Sequence, residues 1–238
     1  MNKLQGKRAI ITGGGRGLGK AVAIALAKEG VAVGITGRNE ENLKSAVEEI
    51  KALGVPAFYA AFSVDDEKAV NVGMETLIDE LRGVDILINN AGIGDFGSIV
   101  DMPSETWHQV IATNLFGVYY VSKAVYPYFK ENGQGDIINV ASTAGLKGGA
   151  NMSAYAASKA AVISLSQSMM AEWRKNDIRV ITLTPSTIAS DMSVNAGLTD
   201  GNPESVLQPE DFAQWVTDML KMNRRALIAN GSIFSTNP

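Results

Sequence analysis

The sequence predicts a single α/β domain, spanning residues 1–238, with a doubly wound parallel sheet of about seven strands and helices on both faces. Three observations support this prediction. The length of 238 residues suits one large domain better than two small ones. Short apolar runs, typical of buried parallel strands, alternate with longer helical patterns. A glycine-rich turn lies between the first strand and the first helix, as in doubly wound sheets.

The strands and helices follow from these patterns. Strands are predicted at 7–12, 31–36, 56–62, 84–88, 136–141, 178–184 and 226–229. Helices are predicted at 20–29, 40–53, about 66–83, from 104 onward, 153–174 and 211–222. Asn39, Ser104 and Ser153 are expected to cap three of these helices, because their side chains accept hydrogen bonds from free backbone amides.

The composition argues against several classes of function. A net charge of −4 without a long basic run argues against nucleic-acid binding. The chain has no cysteine and His108 is its sole histidine, so a zinc site built from those ligands is not expected. A Ser-His-Asp triad would need His108, which lies in a helix-like segment. Without a long apolar run or a signal-peptide pattern, we expect a cytoplasmic protein that does not bind membranes.

The glycine-rich turn predicts a phosphate site. Unsatisfied amides and the dipole at a helix N-terminus attract anions, and glycines let the backbone approach a pyrophosphate closely. A glycine pattern alone is weak evidence, but its place between a strand and a helix strengthens it. The residues expected to contact the dinucleotide here are Gly13, Gly15, Arg16, Gly17, Leu18 and Gly19.

The end of the second strand predicts the kind of dinucleotide. An acidic residue at this place would bind the ribose 2′-hydroxyl of NAD. The sequence instead reads Thr36-Gly37-Arg38, without a carboxylate. Arg38 and Arg16 are placed to bind a 2′-phosphate through charge-assisted hydrogen bonds, which predicts NADP(H). Either arginine alone would equally fit a simple surface position.

Further contacts to the cofactor are expected after the third, fourth and sixth strands, because ligands bind at the carboxyl ends of such strands. The residues concerned are Ser63, Val64, Asn90, Ala91, Gly92, Pro185, Ile188 and Ser190. The segment at about 190–210, rich in glycine and proline, is expected to form a mobile flap over the substrate.

The segment 142–159 carries the predicted chemistry. Ser142 follows the fifth strand, while Tyr155 and Lys159 are four residues apart on one helix and share a face. A nearby ammonium is expected to lower the pKa of the phenol from about 10, which would make Tyr155 a general acid and base. Ser142 would polarise the same carbonyl oxygen. The spacing also fits an amphipathic helix with a packed tyrosine and an exposed lysine. The choice between a catalytic and a structural role therefore depends on motifs in the rest of the chain.

In this order, the segments resemble the short-chain dehydrogenase/reductase family, whose fold is Rossmann-type. The resemblance covers nearly the whole chain and is carried by four motifs. These are Thr12-Gly13 with Gly17 and Gly19; Asn89 to Gly92; Asn114 and Ser142; and Tyr155 with Lys159. Among the members of this family, the chain is most similar to bacterial 3-oxoacyl-[acyl-carrier-protein] reductases.

The resemblance implies hydride transfer between a nicotinamide and a carbonyl or alcohol, without a metal. It implies that Tyr155 protonates the substrate oxygen, that Ser142 orients it, and that Lys159 also binds the nicotinamide ribose. Asn114 would hold a water that links Lys159 to solvent. Asn114, Ser142, Tyr155 and Lys159 are therefore the predicted catalytic residues, and Tyr155 and Lys159 also count as cofactor contacts.

Some positions depart from the family pattern. Ser186 stands where a Pro-Gly pair has its glycine, Ser190 replaces a threonine, and Ser63 replaces an acidic residue that often meets adenine. The family's usual C-terminal turn is also missing.

We therefore expect an NADPH-dependent reductase of a 3-oxoacyl thioester, which acyl carrier protein could deliver. The alternatives are a reductase of a sugar, steroid or pteridine, or a catalytically silent NADP-binding regulator. Helix 153–174 is apolar on several sides, which favours a homodimer or homotetramer, although the chain itself could also cover those sides.

Overall fold

The computed structural model describes residues 3–236. Within this range, seven parallel strands form one sheet in the order β3-β2-β1-β4-β5-β6-β7. The strands are β1 (Arg8–Thr12), β2 (Ala32–Gly37), β3 (Ala57–Ala61), β4 (Ile86–Asn89), β5 (Gly135–Val140), β6 (Ile178–Pro185) and β7 (Asn230–Ile233). The predicted doubly wound α/β fold is confirmed.

Eight α-helices in the described residues connect and cover the strands. They are α1 (Gly17–Lys28), α2 (Glu40–Lys51), α3 (Glu67–Leu81), α4 (Ser104–Ile111), α5 (Gly117–Glu131), α6 (Ser153–Trp173), α7 (Asp191–Asn195) and α8 (Pro209–Lys221). A π-helical segment, Ala112–Phe116, joins α4 to α5.

The helices bury both faces of the sheet. On one face, α1, α2 and α8 contribute Leu26, Ile50 and Phe212 to an apolar cluster. On the other face, α3 and α5 contribute Leu77 and Phe129. All five side chains are fully buried. Because a parallel sheet buried on both faces needs apolar residues at nearly every position, its central strands appear in the sequence as continuous apolar runs.

The strand order reverses at β1. This strand pairs with β2 on one side, where Ile11 lies opposite Ile35, and with β4 on the other, where it lies opposite Ile88. The chain runs outward in both directions from this pair, so a crevice opens beyond the carboxyl ends of β1 and β4.

Two of the three predicted caps are wrong. Asn39 caps α2, since its Oδ1 accepts a hydrogen bond from Asn42 N at 2.9 Å. Ser104 and Ser153 are instead the first residues of α4 and α6, and neither helix has a side-chain cap bond. The Ser153 Oγ is buried without a hydrogen-bond partner among the described residues. A serine just inside the first turn gives the same sequence signal as one just outside it.

The last strand is also displaced from its prediction. The apolar run 226–229 precedes the strand, which occupies Asn230–Ile233 at the edge of the sheet. Thr184 Oγ1 donates to Gly231 O at 2.9 Å. A Cβ on Gly231 would lie 2.6 Å from the Trp215 ring, so only a glycine fits against α8 there. Tertiary contacts therefore place these polar residues, and not the preceding apolar run, in strand β7.

Candidate active site

A cleft of about 950 Å³ lies beyond the carboxyl ends of the central strands. It contains nearly all of the residues that the sequence predicts for the site. Those that line it are Gly13, Gly15, Arg16, Gly17, Leu18, Arg38, Ser63, Val64, Asn90, Ala91, Gly92, Ser142, Tyr155, Lys159, Pro185, Ile188 and Ser190. Gly19 and Asn114 do not line the cleft.

The glycine-rich loop forms one end of the cleft. Gly13 and Gly17 have φ of 67° and 53°, in the left-handed region that favours glycine. α1 begins at Gly17, so the free amides of its first turn face this end of the cleft. Gly19 lies behind the loop, where a Cβ would be 2.3 Å from Gly13 O. It lets the helix pack against the loop without contacting the cleft.

The end of β4 is tied to the glycine-rich loop. Thr12 Oγ1 accepts hydrogen bonds from the backbone amides of Asn90 and Ala91, both at 3.0 Å. The Asn90 side chain donates to Thr12 O at 2.9 Å. The bonds hold the two central strands in register where the crevice opens.

The same end of the cleft has the chemistry to hold a dinucleotide phosphate. A left-handed glycine cradle and the first turn of α1 supply backbone donors for a pyrophosphate. Arg38 is exposed after β2 and has no ion-pair partner within residues 3–236. Arg16 Nη1 lies 3.2 Å from Asp191 Oδ2. Asp191 is the one carboxylate among the described residues that line the cleft.

The three predicted reactive side chains lie together further along the cleft. Ser142 follows β5, and its Oγ accepts a hydrogen bond from Ala144 N at 3.1 Å. Tyr155 and Lys159 lie one turn apart on α6, with Lys159 Nζ 5.7 Å from the centre of the Tyr155 ring. Lys159 Nζ also donates to Val140 O at 2.8 Å, which fixes the buried ammonium against the end of β5.

The expected direction of the Tyr155 pKa shift is wrong. Burial raises the pKa of Tyr155, and a hydrogen bond with Ser142 only partly opposes this shift. Burial also lowers the pKa of Lys159 from 10.5 to about 8, since a low-dielectric site disfavours the ammonium. The Lys159 ammonium donates to Val140 O, and burial sets the direction of the Tyr155 pKa shift. Tyr155 is therefore protonated at neutral pH, as a proton donor must be.

Asn114 lies behind the cleft in the π-helical segment and is fully buried. Its Oδ1 accepts from Ile93 N at 2.8 Å, and its Nδ2 donates to Ile93 O at 2.9 Å and to Ser158 Oγ at 3.0 Å. These bonds brace the loop after β4 against α6. The water that this asparagine is expected to hold stays a prediction.

Two apolar residues lie beside the reactive region: Phe96, which the sequence did not single out, and Met192, which belongs to the predicted flap. The Phe96 ring lies 5.6 Å from that of Tyr155. Gly94 is packed so closely that a Cβ there would lie 2.9 Å from Phe96 and 3.0 Å from the sulfur of Met192. Phe96 and Met192 therefore form an apolar wall beside Tyr155. In the sequence, the glycine-rich turn 92–97 indicated that other groups could pack closely against this backbone.

The flap predicted at about 190–210 lies along the cleft. It begins with α7, whose Ser190 cap accepts a hydrogen bond from Ser193 N. Met192 and Leu198 line the cleft, but Val194 does not. The mobility of the segment stays a prediction.

Comparison with known proteins identifies the family. A family model described as short chain dehydrogenase matches residues 7–201. The chain belongs to this family. It is 34% identical to the 3-oxoacyl-[acyl-carrier-protein] reductase FabG of Staphylococcus aureus over 226 residues, which is 94% of this chain and 91% of that protein. It is 32% identical to gluconate 5-dehydrogenase of Gluconobacter oxydans over 213 residues, 90% of this chain and 79% of that protein.

Solved structures of dehydrogenases match the whole fold. An alcohol dehydrogenase from the archaeon Thermococcus sibiricus, complexed with 5-hydroxy-NADP, has a TM-score of 0.90 at 26% identity, covering 98% of this chain and 97% of that one. An NAD⁺-bound xylitol dehydrogenase has a TM-score of 0.89 at 27% identity, covering 98% and 100%. The chain is thus an oxidoreductase of a family that binds a nicotinamide cofactor.

Membrane-spanning helices and metal-ligand clusters are both absent from residues 3–236. No helix in this part of the chain is long and apolar enough to cross a membrane. No group of three or more histidine, aspartate or glutamate side chains is placed to hold a metal ion there.

Proposed function

We propose that this short-chain dehydrogenase uses NADPH to reduce a ketone, and that the ketone is a 3-oxoacyl thioester. The observation that carries the proposal is the grouping of Ser142, Tyr155 and Lys159 on one cleft that also holds the glycine-rich cradle. Reduction of a carbonyl needs a hydride at its carbon and a proton at its oxygen. The cleft has room for a hydride donor and for the proton donor beside the same carbonyl.

The protein's residues supply the proton and the polarisation. The nicotinamide, when bound, would supply the hydride. Tyr155, kept protonated by the burial that raises its pKa, donates its proton to the carbonyl oxygen as that oxygen gains charge. Ser142 donates a hydrogen bond to the same oxygen and stabilises the developing charge. The positive charge of Lys159 then stabilises the phenolate that remains on Tyr155.

The preference for NADPH rests on Arg38 and Arg16. Arg38 lines the cleft just after β2, and Arg16 lines it from the glycine-rich loop. Arg38 has no ion-pair partner among the described residues, so a 2′-phosphate need not displace one there. A double variant, Arg16→Ala with Arg38→Ala, should weaken NADPH binding and leave NADH binding nearly unchanged. Unchanged affinity for NADPH would remove the basis for this preference.

The substrate assignment rests on the apolar wall and on the similarity to 3-oxoacyl-[acyl-carrier-protein] reductases. The apolar residues that line the substrate end of the cleft are Ile93, Phe96, Leu146, Met152, Met192, Leu198 and Phe234. Such a surface suits an acyl chain. Similarity to gluconate 5-dehydrogenase and to xylitol dehydrogenase favours a sugar-like ketone as the second candidate. A steroid, a pteridine and a silent regulator remain the lesser alternatives.

The partners are proposed on the same basis. We expect a cytoplasmic homodimer or homotetramer that receives its substrate on acyl carrier protein. Ala157 of α6 is exposed in the single chain, and Phe116 and Tyr119 near the start of α5 are 46% and 45% exposed. A second subunit packed on these helices would cover them. Solution scattering that gave the mass of a monomer would contradict this expectation.

The proposed reaction is tested directly. Purified protein would be incubated with NADPH and either an acetoacetyl thioester or a panel of small ketones, and nicotinamide absorbance would be followed. Tyr155→Phe should lower kcat by about 10²- to 10⁴-fold and leave NADPH affinity unchanged, because the phenol oxygen is the proton donor. Phe96→Leu, on the neighbouring wall, is the control and should keep most of kcat. No oxidation of NADPH with any carbonyl would reject the proposal.

A further inference from the structure

A second cavity of about 400 Å³ lies beside the main cleft, under the part of the flap that follows α7. It is lined by residues just after β6, by the loop 198–206 and by the segment after β7. Its lining is rich in hydroxyl groups, which come from Ser186, Thr187, Thr199, Ser205 and Ser235. Neither the predicted site residues nor the reaction proposed above uses this cavity beyond its border with the cleft.

The cavity adjoins the cleft that holds Tyr155. Four residues line both spaces: Ser186, Thr187, Leu198 and Phe234. Leu198 is 48% exposed and Phe234 61% exposed, so these two large apolar side chains at the border have few contacts of their own. A molecule that reacts at Tyr155 can therefore extend past them into the second cavity.

Three of the hydroxyls on the cavity wall are available to a ligand. Within residues 3–236, the side chains of Ser186, Thr187 and Ser205 make no hydrogen bond to protein groups. Thr199 Oγ1 accepts from Gly201 N at 3.0 Å, and Ser235 Oγ accepts from Leu207 N at 3.2 Å, so both still have a proton to donate. The wall thus offers both donors and acceptors.

The charge of the cavity limits what it can bind. Asp200 is the only charged residue among the described residues that line it, and neither lysine nor arginine is present on the wall. A carboxylate or phosphate there would meet a like charge without compensation. Neutral groups that both donate and accept hydrogen bonds, namely amides and hydroxyls, suit this wall best.

We propose that the second cavity binds a neutral, amide- or hydroxyl-bearing part of the substrate while the carbonyl lies at Tyr155. This inference rests on the proposed function and narrows it to substrates with two parts: a ketone for the apolar wall and a neutral polar chain for the second cavity. Two sources share this chemistry, the pantetheine arm of an acyl thioester and the hydroxylated chain of a sugar-like ketone. An anionic tail entering this cavity is excluded.

The test fills the cavity without touching the reactive residues. Ser205→Trp places a large side chain on the cavity wall, and Glu204→Trp is the matched control, since Glu204 is exposed and does not line the cavity. KM and kcat would be measured with acetoacetyl-pantetheine, with a five-carbon ketose, and with a short ketone that lacks a polar chain. Binding of pantetheine itself and of the ketose would be measured by calorimetry with NADP present.

We expect Ser205→Trp to raise KM at least about tenfold for whichever polar substrate is used, with the short ketone and the KM for NADPH unchanged. Glu204→Trp should leave all values as in the wild type. The polar substrate that is affected identifies the source. Equal effects on the short ketone, or none on either polar substrate, would overturn the proposal.

A failure of the proposed function would be visible separately, because the short ketone would then not be reduced. In that case calorimetry with pantetheine and with the ketose decides the inference: binding of either that Ser205→Trp abolishes supports it, and absent or unaltered binding of both overturns it.

Discussion

Arg16 Nη1 and Asp191 Oδ2 lie 3.2 Å apart, so an ion pair joins the glycine-rich loop to the first residue of α7. Both side chains are 71% exposed, which limits the strength of the pair. The same arginine is one of two that we propose to bind the 2′-phosphate of NADPH. If Arg16 binds the phosphate as proposed, Asp191 would compete with the cofactor for it.

Replacing Asp191 should improve the use of NADPH. In Asp191→Asn, Arg16 has no ionic partner to leave, and one negative charge near the phosphate is removed. We expect the KM for NADPH to fall by about two- to fivefold, the range of an exposed ion pair, while the KM for NADH stays the same. Glu204→Gln, on the same flap but outside the cleft, serves as the control. An equal change for both cofactors would show that Asp191 acts on something other than the 2′-phosphate.

The fold could be read from the sequence wherever burial on both faces makes a strand continuously apolar. β1, β4 and β5 fall within or almost within their predicted runs for this reason. The edge strand β7 has no such signature, because its residues are half exposed and are selected by contacts with Thr184 and Trp215. The break of the long helix at Asn114 likewise reflects tertiary bonds to Ile93 and Ser158.

The sequence predicted which residues line the site better than it predicted their pKa shifts. Spacing along α6 was enough to place Tyr155 and Lys159 together. The sign of the Tyr155 pKa shift was not predictable, since it depends on how deeply the phenol is buried. The contribution of Phe96 to the apolar wall was missed because Phe96 and Met192 come from distant segments that meet only in the folded chain.

Ser142 offers a test of carbonyl polarisation that is independent of proton transfer. Ser142→Ala removes the hydroxyl that we expect to stabilise the developing oxyanion, and should lower kcat by about 10²- to 10³-fold. Ser142→Thr keeps a hydroxyl and should retain much more activity. Steady-state kinetics at saturating NADPH would measure both. Equal loss in the two variants would indicate a packing role for Ser142, whose Oγ also accepts from Ala144 N.

A buried ion cluster lies at the amino end of β5, away from the cleft, and should contribute to the free energy of unfolding. Asp136, at the start of β5, accepts from Arg179 Nε at 2.6 Å and from Arg224 Nη1 at 3.0 Å. Asp136→Asn would leave the Arg179 guanidinium, on a side chain that is only 5% exposed, without a carboxylate. Arg224 would keep its contact with Asp177 Oδ2 at 3.1 Å. We expect the free energy of unfolding to fall by about 3 kcal/mol, as measured by urea denaturation. The exposed pair of Glu48 and Lys51 provides the contrast.

In that contrast, Glu48→Gln should change the free energy of unfolding by less than about 0.5 kcal/mol, because both partners remain hydrated. Similar losses of the free energy of unfolding in the two variants would mean that Asp136 stabilises the fold no more than a surface carboxylate does. The cluster would then not anchor the C-terminal segment through Arg224.

The pKa of Lys159 predicts how stability depends on pH. Below pH 8 this lysine is charged in the folded and in the unfolded chain, and its burial destabilises the fold. Between about 8 and 10.5 the folded chain loses the proton first, so the free energy of unfolding rises with pH by up to about 3 kcal/mol. Lys159→Met has no proton to lose and should be more stable at pH 7, with an advantage that shrinks toward pH 10. Lys159→Arg stays charged throughout and should show no rise. Denaturant titrations from pH 7 to 10 would measure this, and a constant difference between wild type and Lys159→Met would contradict it.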